Sequence, residues 1–384
     1  MNKMKNSLKP GIYIHIPFCK SKCDYCDFYS ITDLKYKDQF TSALIKEIDI
    51  YAEENIYQKH FDTIYIGGGT PSILLPYEIA KILEVVHKQF SICDDAEITL
   101  EINPGTATFN ALKIFRSIGI NRLSIGVQSF NDPELKFLRR IHNADQAEEC
   151  ILRAREIDYQ NINLDLMFAL PGQKIKNWEY SLRKAILFNP EHISTYNLSY
   201  EEGTPIYDSL INDQFRPLNE CQELNFFEFT HKFLTEHDYY HYEVSNFAQS
   251  EDNISKHNYK YWNHIPFLGF GPSAHSFWEN QRWGNVLSLD NYIDIINNGN
   301  KPIAFHENLD INNLIFEYIF LKLRTYTGLN LKNFHRYFGK DFVDYYKFVI
   351  KNLIYHDLAI LDNEYFRLTQ KGMLICDEII PHFT

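Results

Sequence analysis

Between residues 12 and 198 one pattern recurs six times: a short apolar segment with strand-like alternation, then a longer stretch with helical spacing. The predicted strands are Ile12–Pro17, Thr63–Ile66, Glu97–Asn103, Arg122–Gln128, Ile162–Met167 and His192–Leu198. Helical stretches lie between them, at Asp38–Glu53, Tyr77–Phe90, Asn110–Ile118, Asp145–Ile157 and Trp178–Phe188. Unbroken strand–helix alternation predicts a parallel sheet, rolled into an open or closed barrel.

The strands predict what the barrel holds. Strands of a parallel sheet are usually apolar on both faces. Here Ile12, Ile14 and Ile16 alternate with Tyr13 and His15, and Ile98, Leu100 and Ile102 with Thr99, Glu101 and Asn103. The fourth and fifth strands set Leu123, Ile125 and Val127 against Ser124, Gly126 and Gln128, and Ile162, Leu164 and Leu166 against Asn163 and Asp165. Successive side chains point to opposite faces, so one face suits the helices and the other is polar. An interior packed solid with aliphatic residues needs no such face; one that holds a polar ligand does. An antiparallel sheet with one wet face gives the same pattern, but the strand–helix rhythm disfavours it.

Polar and glycine residues also collect where a parallel barrel puts its chemistry, after the carboxyl ends of the strands. A loop with three cysteines follows the first strand, and Gly67-Gly68-Gly69-Thr70-Pro71 follows the second. Glu101 and Asn103 end the third, Gln128 the fourth, and Asp165 is read as ending the fifth. The glycine run lets backbone approach a ligand closely, though alone it is only a tight strand-to-helix turn.

Cys19, Cys23 and Cys26 stand in a C-x3-C-x2-C spacing, while Cys93, Cys150, Cys221 and Cys376 are scattered. Three thiolates on one short loop suit three irons of a [4Fe–4S] cluster, leaving the fourth iron, normally held by another cysteine, open. A structural zinc site is the nearest rival, but it usually closes with four ligands, and only His15 is at hand. An odd count of three fits a disulfide poorly. Free thiols and an exposed-iron cluster imply a reducing, cytoplasmic setting. The start of the chain lacks the apolar run and small-residue cleavage site of a signal peptide. No apolar run approaches the ~20 residues of a membrane span. A net charge of −12 argues against broad nucleic-acid binding.

The cysteine loop with its flanks, YIHIPFC and CDYCDF, resembles the signature of radical S-adenosylmethionine (SAM) enzymes. It is most similar to the group of oxygen-independent coproporphyrinogen III dehydrogenases and heme chaperones of the HemW type. The resemblance implies an α/β fold, a partial or open (β/α)6 TIM-like radical SAM barrel, with SAM bound to the open iron. Position by position it implies SAM contacts at Tyr13, Tyr25, Gly68, Gly69, Thr70, Glu101, Gln128, Arg140 and Asp165. Glu101 is suited to ribose hydroxyls, and Arg140 to fork onto the methionyl carboxylate; otherwise Arg140 is a surface helix residue beside Arg139. The dehydrogenase has a further cysteine two residues after the last cluster ligand and a long N-terminal extension; here Phe28 takes that position and no such extension precedes the motif. The departures point to the HemW-type group, and so to heme and a heme-acceptor protein as partners, with any peripheral membrane association arising through that acceptor.

After Leu198 the rhythm fades, and residues 206–300 resemble the region that completes the barrel and covers its mouth. They include His257-Asn258-Tyr259-Lys260-Tyr261-Trp262, an HNxxYW segment. The resemblance implies heme contacts at His257, Tyr261 and Trp262, an imidazole for iron and flat rings for a porphyrin. His264 and His275 are spare ligands. The bland reading is a locally bonded loop histidine with the rings in the core. Residues 1–205 are read as the barrel core and 301–384 as a winged-helix-like α+β domain, with helices at Leu314–Arg324, Leu331–Phe338 and Phe342–Tyr355 and a hairpin of Leu358–Leu361 and Tyr365–Leu368.

Overall fold

The structure, a computed structural model, describes residues 9–383. Six strands run in chain order, β1 Gly11–Ile16, β2 His60–Gly68, β3 Ser91–Ile102, β4 Arg122–Gln128, β5 Ile162–Phe168 and β6 His192–Asn197, each parallel to the last. β2 and β3 start earlier than the sequence pattern shows, because His60↔Ser91 and Phe61↔Ile92 extend the pairing past the apolar stretch.

The central sheet is wider than six strands. After β7 (Tyr240–Glu243) and β8 (Asn246–Ala248), the chain forms β9 (Phe267–Phe270), β10 (His275–Trp278), β11 (Gln281–Asn285) and β12 (Ile303–Asn308). The order is β12-β11-β10-β9-β1-β2-β3-β4-β5-β6-β8-β7. β9 is a seventh parallel strand, paired with β1 through Gly11↔Phe267 and Tyr13↔Gly269. Its partner β10 and the strands beyond run antiparallel, as do β8 and β7 at the other flank. The two ends of the sheet, β12 and β7, do not pair, so the barrel is open.

Side chains divide as the alternation requires. Ile12, Ile14, Ile16, Ile64, Ile66, Leu100, Leu123, Ile125, Ile162 and Leu164 are fully buried against the outer helices. α1 (Lys37–Ala52) buries Phe40, Leu44, Ile48 and Tyr51, one helical face, against them. The other face of the sheet carries Tyr13, His15, Tyr65, Glu101, Ser124, Asn163, Asp165, His192 and Ser194, tied by side-chain hydrogen bonds such as Tyr65 to Glu101 and Ser124 to Asp165.

The C-terminal residues have their own core around Phe334, Phe342, Phe366 and Phe383. A three-stranded sheet accompanies it, β13 (Leu329–Asn330), β15 (Tyr365–Leu368) and β14 (Ala359–Leu361) in spatial order. The stretch expected as one helix over 342–355 is two, Phe342–Tyr345 and Lys347–Tyr355, parted at Tyr346, where φ is −108° and ψ 25°. Residues 303–308, grouped with this unit in the sequence reading, instead form the edge strand β12 of the large sheet. Among the described residues no helix is long and apolar enough to cross a membrane.

Candidate functional site

The cysteine loop leaves β1 at the mouth of the barrel and is pinned at its base. Cys19 N–H donates to Ile31 O at 2.9 Å and Ile31 N–H to Pro17 O at 2.7 Å. Its returning end is held by the His15 imidazole, whose Nε2 meets Tyr29 O at 2.9 Å while Nδ1 meets Tyr13 Oη at 3.0 Å. Arg139 pairs with Asp24 at 2.7 Å, and Ile206 N–H donates to Asp24 O. Cys19 is buried, Cys23 and Cys26 half-buried, and all seven cysteines are free.

Burial pushes the Cys26 thiol up to about 11, with the Phe28 backbone opposing and the Cys19 and Cys23 sulfurs adding to the rise. A metal cation bound beside the Cys26 sulfur would favour its thiolate. Among the described residues no three His, Cys, Asp or Glu side chains converge to hold a single metal ion. A cluster makes a different demand, one thiolate on each of three irons.

The glycine run lies against the start of this loop. Gly69 N–H donates to Ile16 O and Thr70 N–H to Phe18 O, and Thr70 Oγ1 comes within 3.6 Å of Cys19 Sγ. A Cβ at Gly69 would sit 2.7 Å from Phe18 O, and one at Gly67 2.9 Å from the Glu101 carboxylate. Gly68 has a φ of +109°, which an L side chain rarely adopts, and its N–H donates to Glu101 Oε2 at 3.1 Å. Bare backbone is therefore a requirement of the packing here.

Across the mouth, Arg140 donates to Gly126 O at 2.7 Å, and its Nη1 lies 3.4 Å from both Cys23 Sγ and Tyr25 Oη. Its buried Nε has no hydrogen-bond partner among the described residues. Gln128 ends β4 with a φ of +66°, and a Cβ at Gly126 would meet Gln128 Nε2 and Arg140 Nη2. Glu101 accepts from Tyr65 Oη at 2.7 Å, and Tyr65 stacks on Tyr13. Burial raises Glu101 to about 7, Tyr65 opposing. Cys19, Cys23, Tyr25, Gly68, Gly69, Thr70, Glu101, Gln128 and Arg140 thus come together at one end of the barrel. A bare backbone cradle, a carboxylate and a guanidinium with an orphaned Nε make a donor set that fits an amino acid joined to a ribose.

Two expected residues lie deeper. Asp165 does not end its strand: Leu166, Met167 and Phe168 continue β5 past it, and it accepts from Ser124 and Asn163 inside the barrel. Tyr13 is mid-strand. Sequence reasoning missed Tyr65 as the residue orienting Glu101, and His142, which bridges Asn103 Oδ1 and Val127 O. The Thr63-Tyr65-Gly67 alternation was the available signal for Tyr65.

The HNYKYW segment is elsewhere. It forms a helix, Lys256–Trp262, whose first N–H groups donate to Glu97 at the start of the β3 barrel level. His257 is fully buried, Nδ1 on Thr63 Oγ1 and Nε2 on Tyr261 Oη, each at 2.8 Å. It packs beside Gly11 at the beginning of β1, whereas the cysteines follow the end of β1; five residue steps along a strand separate the two levels by ~16 Å. Burial pulls its pKa down to about 3, so the ring is neutral. The expectation of a segment covering the mouth is corrected for this stretch: it closes the floor. In this conformation neither His257 nitrogen is free for iron.

Comparison with known proteins follows the same lines. A family model for the radical SAM superfamily matches residues 13–185, and one for the HemN C-terminal domain matches residues 309–375. A Bacillus subtilis protein named heme chaperone HemW is 34% identical over 97% of this chain and 98% of its own length. A zebrafish (Danio rerio) protein, radical S-adenosyl methionine domain-containing protein 1, mitochondrial, is 30% identical over 98% of this chain and 87% of its own. The solved structure of coproporphyrinogen III oxidase (HemN) from Escherichia coli, a radical SAM enzyme, matches with a TM-score of 0.86 and 26% identity, over 98% of this chain and 90% of that one.

Proposed function

Because this chain belongs to the radical SAM superfamily and, within it, to the family of the HemW-type relatives, we propose that it is a heme chaperone. In this reading it works in the cytoplasm, holds a [4Fe–4S] cluster on Cys19, Cys23 and Cys26, binds SAM in the barrel mouth, and passes heme to an acceptor protein. The observation that carries the reading is end-to-end similarity to proteins named heme chaperones, at 34% identity in the Bacillus subtilis case, with a phenylalanine at position 28.

The residues divide the work. Cys19, Cys23 and Cys26 would hold the cluster, whose fourth iron, left open by three cysteines, would take SAM, and which would supply one-electron chemistry. Gly68, Gly69 and Thr70 offer backbone to the amino group, Arg140 the guanidinium to the carboxylate, and Glu101, steadied by Tyr65, the acceptors for ribose hydroxyls. Tyr13, Tyr25, Gln128 and Asp165 line the same interior. The His15 contact ties the returning end of the cysteine loop to β1.

The match to the HemN structure supports a second reading, coproporphyrinogen III oxidation. Phe28 separates the two, since a phenyl ring cannot ligate a metal or exchange a proton as the extra thiol can. The test has two arms. Anaerobically reconstituted protein with SAM, a reductant and coproporphyrinogen III is expected to give no decarboxylated porphyrin. Heme-loaded protein mixed with an apo heme protein is expected to lose its Soret band as the acceptor gains one. Robust turnover in the first arm establishes the oxidase reading instead.

A further inference from the structure

We propose that Arg139 is a positioning residue for the cysteine loop: clasped to Asp24, it fixes Cys23 and Tyr25 against Arg140 and so joins the cluster site to the SAM carboxylate site. This rests on the cluster and SAM part of the proposed function, and not on where heme binds. Arg139 stands where the backbone favours glycine. The helix Asp132–Phe137 is capped by Leu138. Beyond it Arg139 N–H returns to Lys136 O at 3.1 Å and Arg140 N–H to Leu135 O at 2.9 Å. In this common helix ending the first residue past the cap is left-handed and usually glycine. Arg139 takes that conformation, with a φ of +50°, against the steric preference of a residue that has a Cβ. Ending the helix gives no reason for an arginine there.

The side chain supplies the reason. Arg139 Nε lies 2.7 Å from Asp24 Oδ2, between the second and third cysteines of the loop. Three successive residues thus engage three successive residues. Leu138 belongs to the apolar cluster against which Tyr25 packs, Arg139 holds Asp24, and Arg140 reaches Cys23 Sγ and Tyr25 Oη. A second strut comes from the segment after β6. Ile206 N–H donates to Asp24 O at 3.0 Å, and the Ile206 side chain joins the same apolar cluster with Met167, Leu170 and Leu198. Asp24 is therefore gripped by its carboxylate and by its carbonyl, from two parts of the chain far apart in sequence.

Stability does not account for this pair. The Arg139 side chain is 71% exposed and that of Asp24 16%, and an ion pair open to water contributes little. A charged residue held in a glycine conformation for so small a gain belongs with the backbone strain that collects at functional sites. Its use is geometric. The carboxylate of Asp24 and the guanidinium of Arg139 hold the stretch between Cys23 and Cys26 in register with Arg140. Without the clasp, Cys23 and Tyr25 would shift relative to the guanidinium that is to receive the SAM carboxylate.

The full chain, reconstituted anaerobically with its cluster, tests the clasp as wild type, Arg139→Gly, Arg139→Asn, Asp24→Arg and the exchange of Asp24→Arg with Arg139→Asp. Glycine and asparagine suit the left-handed position, so thermal midpoints of those two variants should equal or exceed wild type. Their SAM affinity by calorimetry should nevertheless fall about threefold to fivefold, up to the worth of an exposed ion pair. The change that SAM makes in the electron paramagnetic resonance spectrum of the reduced cluster should differ from wild type in both. Asp24→Arg sets like charges together and should lose more affinity; the exchanged pair should regain it. Wild-type affinity and spectra in Arg139→Gly and Arg139→Asn overturn the clasp, whatever their thermal midpoints. So does an exchanged pair that binds SAM no better than Asp24→Arg. If wild type itself takes up neither cluster nor SAM, the cluster and SAM reading fails, and the clasp with it.

Discussion

Nη1 of Arg140 lies 3.4 Å from the sulfur of Cys23. One guanidinium therefore spans the cluster loop, the Tyr25 hydroxyl and the Gly126 carbonyl, and leaves its Nε for a ligand. Replacing Arg140 with Met, or Glu101 with Gln, is expected to weaken SAM binding by about 1.5–3 kcal/mol, the scale of a charged hydrogen bond. Anaerobic calorimetry measures it; unchanged dissociation constants in both variants would mean that the polar interior serves another ligand.

Three thiols leave no spare for three irons. Cys19→Ala, Cys23→Ala and Cys26→Ala should each lose the four-iron cluster, read as iron and sulfide content and visible absorbance after reconstitution. Alanine at Cys93, Cys150, Cys221 or Cys376 should leave iron content unchanged.

Gly67→Ala should damage the SAM site through Glu101. The new methyl carbon would sit 2.8 Å from the Tyr65 ring and 2.9 Å from the Glu101 carboxylate. Overpacking of this kind costs about 1–3 kcal/mol. SAM affinity should fall at least tenfold, while Gly172→Ala, with nothing within 4 Å, should leave it unaltered. Equal affinities in wild type and Gly67→Ala would show that Glu101 is not a SAM contact.

Glu47 should make stability depend on pH. This buried carboxylate of α1 accepts from Gly271 N–H, Asn285 Nδ2 and Tyr292 Oη, yet burial raises it from 4.5 to about 7. The folded chain then holds the proton more tightly than the unfolded one. Its contribution is complete below pH 4.5 and is lost as pH rises through 7, by at most about 3 kcal/mol. Glu101 and Glu243 shift the same way, so the diagnostic is the difference between wild type and Glu47→Gln. Thermal midpoints should fall less for the variant between pH 5 and 8; parallel curves would contradict the assignment.

His257→Ala should cost stability and spare iron. It strands the Thr63 and Tyr261 hydroxyls and opens a cavity, together about 2–4 kcal/mol by urea denaturation. A variant as stable as wild type would show that the floor network is not structural.

Much of this was legible locally. Alternation along β1, β3, β4 and β5 gave the polar interior, because a two-residue period on a strand is a statement about faces. The mouth residues were legible because parallel strands deliver their loops to one end. What stayed hidden depends on contacts distant in sequence. β9 is four residues, bounded by Pro266 and a glycine, and its pairing with β1 has no local signature. Nothing in HNYKYW says which end of the barrel it occupies; that follows from Glu97, Thr63 and Asp62 receiving it. Tyr65 lies inside the predicted strand Thr63–Ile66 with no role assigned from sequence, and only its reach to Glu101 reveals its use.

The pairing of β1 with β9 has a consequence in time. β1, the earliest-translated strand among the described residues, is central in the finished sheet, with β2 on one side and β9 on the other. Phe267, the partner of Gly11, is translated long after it; at about 5–20 residues per second that edge of β1 waits roughly 13–50 s. Meanwhile the nascent chain carries an unpaired parallel edge beside three free thiols, open to solvent and to other strands. The interval exposes the newborn protein to aggregation, and it is also when the cysteine loop is most accessible to solvent and to other proteins.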